Sequence, residues 1–197
     1  DEFLMVQEFS NEPALEDILQ VGQQLCASIA APFRIGTYEL QLSASVGISR
    51  FPWDTSQGSD LLSLSDLALY QAKTDGRDRA MVFDKSMQVR QAEHVAITNH
   101  LKKAIRTEAI QLHYQPRHDL TTGRLLAFEA LARWHDEELG KIGPDKFIPI
   151  AEQTGLIVTL GEQLCRQAVR KAVQWYQTFG EDAPVVSVNS STVQLTR

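Results

Sequence analysis

Residues 14–33 read ALEDILQVGQQLCASIAAPF, with Leu15, Ile18, Leu19, Leu25, Cys26 and Ile29 at helical spacing and Pro32 where a helix should stop. The apolar run DEFLMV before it predicts an opening strand. FRIGTYELQLSASVGISRFP predicts a hairpin that turns near Gly36 and Thr37, with Leu40, Leu42, Ala44, Val46 and Ile48 alternating to form a core face. DTSQGSD reads as a loop in which Ser59 or Asp60 caps the helix LLSLSDLALYQAK, which ends before Gly76, and RAMVFD reads as a short closing strand. From about Lys85 to Glu108 the spacing predicts one long helix with Val89, Ile97, Leu101, Ala104 and Ile105 on its buried stripe. Strand IQLHYQP, a turn at DLTTGR, strand LLAFEALARW, the loop HDEELGKIGPDK, a short helix near FIPIAEQTG, the amphipathic helix GEQLCRQAVRKAVQWYQTF and strand PVVSVNSS complete the chain. Strands alternating with helices in this second half predict a parallel β/α arrangement.

At 197 residues, 43% hydrophobic and 22% charged, the chain has the composition of an ordered globular protein, which excludes a disordered one. No apolar run approaches the length that spans a bilayer and no basic stretch precedes an apolar one, so a cytoplasmic setting is expected, with any membrane anchor in a segment outside this sequence. Cys26 and Cys165 each sit in an apolar helical pattern and are expected to be buried thiols. A formal charge of -6 excludes a general footprint for a DNA or RNA polymer. A phosphate-bearing ligand must then be held by a few local cations or by metal ions.

In AFEALARW, period-two geometry puts Glu129, Leu131 and Arg133 on one face and Phe128, Ala130, Ala132 and Trp134 on the other. Burying a lone carboxylate in such a run is costly without a charged partner or a metal. Asn189 stands near the carboxyl end of VVSVNSS, opposite Val186 and Val188. A carboxylate and an amide oxygen at the carboxyl ends of strands can both serve as hard-metal ligands. An internal Glu129–Arg133 ion pair with a turn asparagine accounts for the same residues. His135, Asp136, Glu137 and Glu138 read as a solvated turn, and His94, His100, His113 and His118 lack the spacing of a zinc site.

LHYQP, FEALARW, IGPDKFIPIAEQTGLIVTLGEQLCRQA and VSVNSSTVQL, in that order from about Ile110, resemble the EAL domain of bacterial cyclic-di-GMP phosphodiesterases. The resemblance implies the first part of a modified TIM-like β/α barrel and metal-dependent hydrolysis of cyclic di-GMP to pGpG. It implies that Glu129 and Asn189 are catalytic metal ligands for Mg²⁺ or Mn²⁺, that Gln115, Leu131, Arg133 and Pro149 line the dinucleotide, and that Arg133 neutralises a phosphate. Divalent ions suit this chemistry because they generate a nucleophile from water at neutral pH and clamp the developing charge.

The first half resembles the end of a GGDEF domain of diguanylate cyclases: DEFLMV matches the close of the GG(D/E)EF motif, and SDLALYQAKTDGRDRAMVF matches a closing signature of that family. The implied fold is the C-terminal half of an α+β nucleotide-cyclase-like domain. By this resemblance Asp1 and Glu2 serve metal binding and activation of the attacking 3′-hydroxyl of GTP, and Lys73 and Arg77 hold GTP phosphates, although a solvated helix end explains those two cations equally. Ser65 and Asp78 depart from the family's usual Ala and Asn. The expected organisation is a GGDEF part over 1–85, a linker and lead-in helix over 86–108, and an EAL part over 109–197. The chain is expected to be a piece of a GGDEF–EAL tandem protein, inactive alone because both ends fall inside motifs; the parent is expected to be a homodimer, and an upstream sensory domain, common in such proteins, stays open. Three readings of the parent stay open: a phosphodiesterase, a cyclase or dual enzyme, and a non-catalytic receptor for cyclic di-GMP.

Overall fold

A computed structural model describes residues 2–195, which form two compact units that divide between Ala92 and Glu93. No helix among the described residues is long and apolar enough to cross a membrane.

In the first unit, α1 (Leu15–Ala30) follows an extended stretch and is closed by the Ala31–Pro32 step. Asp17 Oδ2 accepts the Ala14 N–H at 3.3 Å in its first turn. Its buried stripe is Ile18, Gly22 and Cys26, leaving Leu15 and Ile29 exposed. β1 (Phe33–Ile35) and β2 (Tyr38–Leu40) form an antiparallel hairpin, and β3 (Val46–Ile48) pairs in parallel with β4 (Ala80–Val82). Between β3 and β4 come a 3₁₀ turn, Gly58–Asp60, and α2 (Leu61–Thr74). A Cβ on Gly22 would stand 2.6 Å from Ala80 Cβ and 2.8 Å from Ile48 Cδ1, so α1 lies directly on the β3–β4 pair. Leu64 and Ala68 of α2 pack with Phe83 and Met87 to form the small core.

Several expectations fail here for identifiable reasons. Residues 2–9 form no strand, because no ladder partner reaches them, and Phe3, Leu4, Met5 and Val6 are exposed. The alternating run after Gly36 breaks into two strands with different partners: β2 has only β1, so Leu40 and Leu42 face solvent, and the ladder resumes at Val46 against β4. Neither Ser59 nor Asp60 caps α2 through its side chain; Asp60 already has the helical backbone and accepts from Thr55 Oγ1 at 3.2 Å instead.

Gly47 sets how closely α2 approaches the strands. A Cβ there would overlap the Ser65 carbonyl oxygen and the Leu69 amide nitrogen, neither of which can move without breaking the helix. Gly47→Ala is therefore expected to destabilise the chain by about 1–3 kcal/mol, the range for overpacking a filled interior, read as a lowered midpoint in urea unfolding. A midpoint equal to that of the wild type would show that α2 can withdraw freely.

The long helix α3 (Lys85–Arg106) runs through the boundary between the units. Val89 is 69% exposed, while Met87 is buried at 4% and fills the inward position expected for it. In the second unit Ile97, Leu101, Ala104 and Ile105 of α3 are buried as the spacing predicts.

β5 (Gln111–His118) and β6 (Leu125–Asp136) are antiparallel. Asp119 Oδ1 closes their turn by accepting the Thr122 N–H at 2.7 Å, the Thr121 N–H at 2.9 Å and the Thr122 hydroxyl at 3.0 Å. These bonds, those from Thr122 foremost, hold the carboxyl below the usual aspartate range. β6 pairs next with β7 (Gly140–Ile142), which the sequence reading leaves as loop. After α4 (Pro144–Thr154) and α5 (Ile157–Phe179), β8 (Val185–Val188) returns parallel to β6, giving the order β7-β6-β5 with β8 also on β6 over a different stretch. The expected parallel arrangement thus holds for β6–α5–β8, whereas the first pair is an antiparallel hairpin because its turn is too short for a crossover. The core joins α3, α4 and α5 to the sheet through Leu101, Ile110, Trp134, Phe147 and Leu160. Cys165 is exposed, one position off the buried α5 stripe of Leu160, Leu164 and Ala168; Cys26 alone is a buried thiol.

His135, Glu137 and Glu138 are exposed, as expected of a solvated turn, whereas Asp136 is drawn inward. The Asp136 side chain is 11% exposed, accepts the Glu138 and Leu139 N–H groups at 3.0 and 3.1 Å, and lies 3.0 Å from His100 Nδ1. Burial pushes its pKa up, but the two N–H groups and the adjacent His100 ring outweigh that and hold it below the ordinary value of 3.8. A carboxyl depressed on folding stabilises the fold above its unfolded pKa and loses that contribution as pH falls through the folded one. Acid unfolding of the wild type should therefore steepen below about pH 4, and Asp136→Asn should lessen that dependence while lowering stability at pH 7. Identical acid profiles for the two proteins would contradict this role.

Candidate functional site

The ladders fix which side chains share a face. Gln115 pairs with Glu129 across β5–β6, and Glu129 pairs with Ser187 across β6–β8. Period two then places Gln115, Glu129, Leu131, Arg133, Ser187 and Asn189 on one side. On the other side Phe128 and Tyr114 meet Trp175 of α5 at ring separations of 4.7 and 5.2 Å, and Ala130 and Trp134 are buried. Burial there pushes the Tyr114 phenol up. Trp175 of α5 covers one face of the sheet there, and Glu129 and Arg133 of β6 stand on the other.

Asn189 follows the carboxyl end of β8 and its Nδ2 donates to Glu129 Oε1 at 2.8 Å. The structure thus brings together two side chains 60 residues apart. Arg133 forms no ion pair with Glu129; its Nη1 donates to the Ala132 carbonyl at 2.8 Å, and the side chain is half-buried beside half-buried Leu131. Gln115 is exposed on β5 level with Glu129. Pro149 is exposed on α4, whose residues Phe147, Ile150 and Ala151 are buried. Ser187, whose hydroxyl donates to the Phe128 carbonyl at 3.3 Å, was missed, although counting two back from Asn189 would have put it on the face.

Glu129 and Asn189 offer a carboxylate and an amide oxygen, the hard donors that Mg²⁺ and Mn²⁺ prefer. The pair fits part of such a site: the amide nitrogen touches Oε1, leaving Glu129 Oε2 and Asn189 Oδ1 as acceptors. A six-coordinate ion needs further oxygens, and among the described residues no group of three or more His, Cys, Asp or Glu could hold a metal.

In the first unit Asp1 lies outside the described residues and Glu2 is exposed. Lys73 is exposed in the last turn of α2, and Arg77 is exposed beyond it at φ 60°, with its N–H bonded to the Ala72 carbonyl at 3.0 Å. Asp78 is also left-handed, at φ 51°, a conformation that Asn and Asp tolerate better than most residues, so its departure from Asn is conservative. No hydrogen bond or ion pair joins Glu2 to Lys73 or Arg77.

An α/β chain whose second half begins a β/α barrel with a carboxylate and an amide at its polar sheet face is the architecture of an EAL domain, and residues 98–197 match the family described as "EAL domain". The chain belongs to that family; residues 1–79 match "Diguanylate cyclase, GGDEF domain", and this part is the C-terminal portion of such a domain. The chain is 34% identical over 194 residues to the bifunctional diguanylate cyclase/cyclic di-GMP phosphodiesterase MucR of Pseudomonas aeruginosa, covering 98% of this chain and 28% of that protein. It is 36% identical over 176 residues to the cyclic di-GMP phosphodiesterase PdeR of Escherichia coli (strain K12), covering 89% and 26%. A solved structure, "PaMucR Phosphodiesterase, c-di-GMP complex", is similar at 34% identity and a TM-score of 0.49, over 52% of this chain and 41% of that one. The chain therefore spans only about a quarter of the curated relatives named here.

Proposed function

We propose that the protein carrying this chain is a metal-dependent phosphodiesterase that hydrolyses cyclic di-GMP to pGpG. The observation that carries the reading is the 2.8 Å contact between Asn189 and Glu129 on the polar sheet face. It is supported by membership of the EAL family and by the cyclic di-GMP phosphodiesterase activity for which MucR and PdeR are named. Glu129 and Asn189 would hold Mg²⁺ or Mn²⁺, which when bound supplies a water-derived nucleophile and a clamp on phosphate charge. Arg133 is the cation for a non-bridging phosphate oxygen, Gln115 a hydrogen-bonding group beside Glu129, and Leu131 an apolar surface for a base; Pro149 would reach the ligand only from α4. In the first unit Asp1, Glu2, Lys73 and Arg77 are proposed for the GTP side. Residues 1–85, 86–108 and 109–197 are proposed as the GGDEF part, the linker with its helix and the EAL part.

The test is product analysis on the full reading frame that carries this chain, incubated separately with cyclic di-GMP and with GTP in Mg²⁺ or Mn²⁺. Formation of pGpG supports the phosphodiesterase; cyclic di-GMP made from GTP would show a cyclase, and binding of cyclic di-GMP without product would show a receptor. The 197-residue chain alone is expected to turn over neither nucleotide, because two oxygen ligands do not hold the ions that the chemistry needs.

A further inference from the structure

Asn189 is exposed and its side chain has one hydrogen bond, so something else must fix the backbone that presents it. Two residues on, the Ser191 hydroxyl donates to Glu152 Oε1 of α4 at 2.6 Å, with both residues half-buried. A hydroxyl whose proton is committed to a carboxylate keeps its lone pairs for acceptance, and Ser191 Oγ accepts the Val193 N–H at 3.2 Å. Gln194 closes the same turn, its Oε1 accepting the Ser191 N–H at 2.9 Å. The Gln194 side chain also lies where a Cβ on Gly161 of α5 would stand, so the glycine leaves it this space. The segment after β8 is thereby tied to the junction of α4 and α5, elements whose core residues Phe147, Ala151 and Leu160 are fully buried. A serine capping its own turn would need no carboxylate from another helix.

From this we infer that Glu152 is a positioning residue: through Ser191 it anchors the β8 exit so that the Asn189 amide stays against Glu129, ready to share a divalent cation. The inference rests on the proposed function for the cation, while the anchoring of Asn189 can be tested without it. Partners of this outer kind commonly alter metal affinity by about 10–100-fold when removed.

Two measurements separate the claims. In the ¹⁵N-labelled 197-residue chain, the Asn189 side-chain amide signals, assigned by their loss in Asn189→Ala, should collapse toward free-amide positions in Glu152→Ala and in Ser191→Ala. They should be retained in Glu152→Gln, whose amide oxygen can still accept the Ser191 hydroxyl. In the full reading frame, the Mg²⁺ or Mn²⁺ concentration for half-maximal cyclic di-GMP hydrolysis should rise about 10–100-fold in Glu152→Ala, with kcat recovered at saturating metal. The same substitution should add nothing in an Asn189→Ala background. Unchanged Asn189 amide signals in both Glu152→Ala and Ser191→Ala, or a loss undiminished in the Asn189→Ala background, would overturn the inference. If the wild type makes no pGpG and the amide signals still collapse, the phosphodiesterase reading falls and the anchoring of Asn189 stands.

Discussion

In the full reading frame, Glu129→Ala should lower pGpG formation by about a thousandfold or more, and Glu129→Gln should lose nearly as much. The glutamine variant carries the argument. Its amide oxygen can still accept the Asn189 N–H that Glu129 Oε1 accepts at 2.8 Å, so the local geometry survives while the charge is lost. A divalent ion contributes several kcal/mol to stabilising charge on a transferring phosphoryl group, and about 4 kcal/mol corresponds to three decades in rate. If Glu129 holds that ion by its charge, preserving its shape does not preserve the rate. Stability should scarcely move, because Glu129 is only half-buried on the polar face and no buried partner is left unpaired. The measurements are product formation against metal concentration, with urea unfolding of each variant as control. A glutamine variant that keeps a tenth of the wild-type rate would remove Glu129 from the metal.

Period two along AFEALARW was enough to separate Glu129, Leu131 and Arg133 from Ala130 and Trp134, because a strand has only two faces and α5 covers one of them. What strand geometry could not supply was the partner of Glu129. Arg133 sits on the same face but two pleats further along, and its guanidinium turns back to the Ala132 carbonyl; Asn189 reaches Glu129 only because β8 returns parallel to β6 in a register that pairs Ser187 with Glu129. Register is a tertiary fact set by the α5 crossover, and the resemblance to the EAL family carried that information where spacing did not. The same limit explains the first unit. Leu40 and Leu42 continue the alternation of Val46 and Ile48, yet burial depends on which strand lies alongside, and β2 has only the exposed β1. Met87 and Val89 show it again, since a helix stripe drawn from apolar residues alone cannot tell which of two positions faces Phe83.

The largest effect on stability is expected from Trp134→Ala. Trp134 is 2% exposed, stands edge to face with Phe147 at 5.7 Å and 88°, and pairs through the β6–β7 ladder with Ile142, itself buried. Removing a fully buried tryptophan costs about 3–5 kcal/mol through lost transfer energy and the void left behind, and here also loses an aromatic pair worth about 0.5–1.5 kcal/mol. Part of that pair term is contained in the larger figure, so the two do not add in full. Urea unfolding followed at Trp175, in a Trp53→Phe background that silences the first unit's tryptophan, should show a markedly lower midpoint with an unchanged slope. Trp134→Phe should recover more than half of the loss by keeping an aromatic ring against Phe147. The consequence reaches the site through the strand itself. Trp134 and Glu129 are on opposite faces of β6, so the packing of one face holds the pleat that aims the other, and a one-residue slip would exchange the two sets. In the alanine variant, pGpG formation by the full reading frame should therefore fall at temperatures where the wild type is still fully active, and should recover on cooling. Loss of rate at every temperature with an unchanged unfolding midpoint would instead place Trp134 in direct contact with the chemistry, which its position beneath Phe147 forbids.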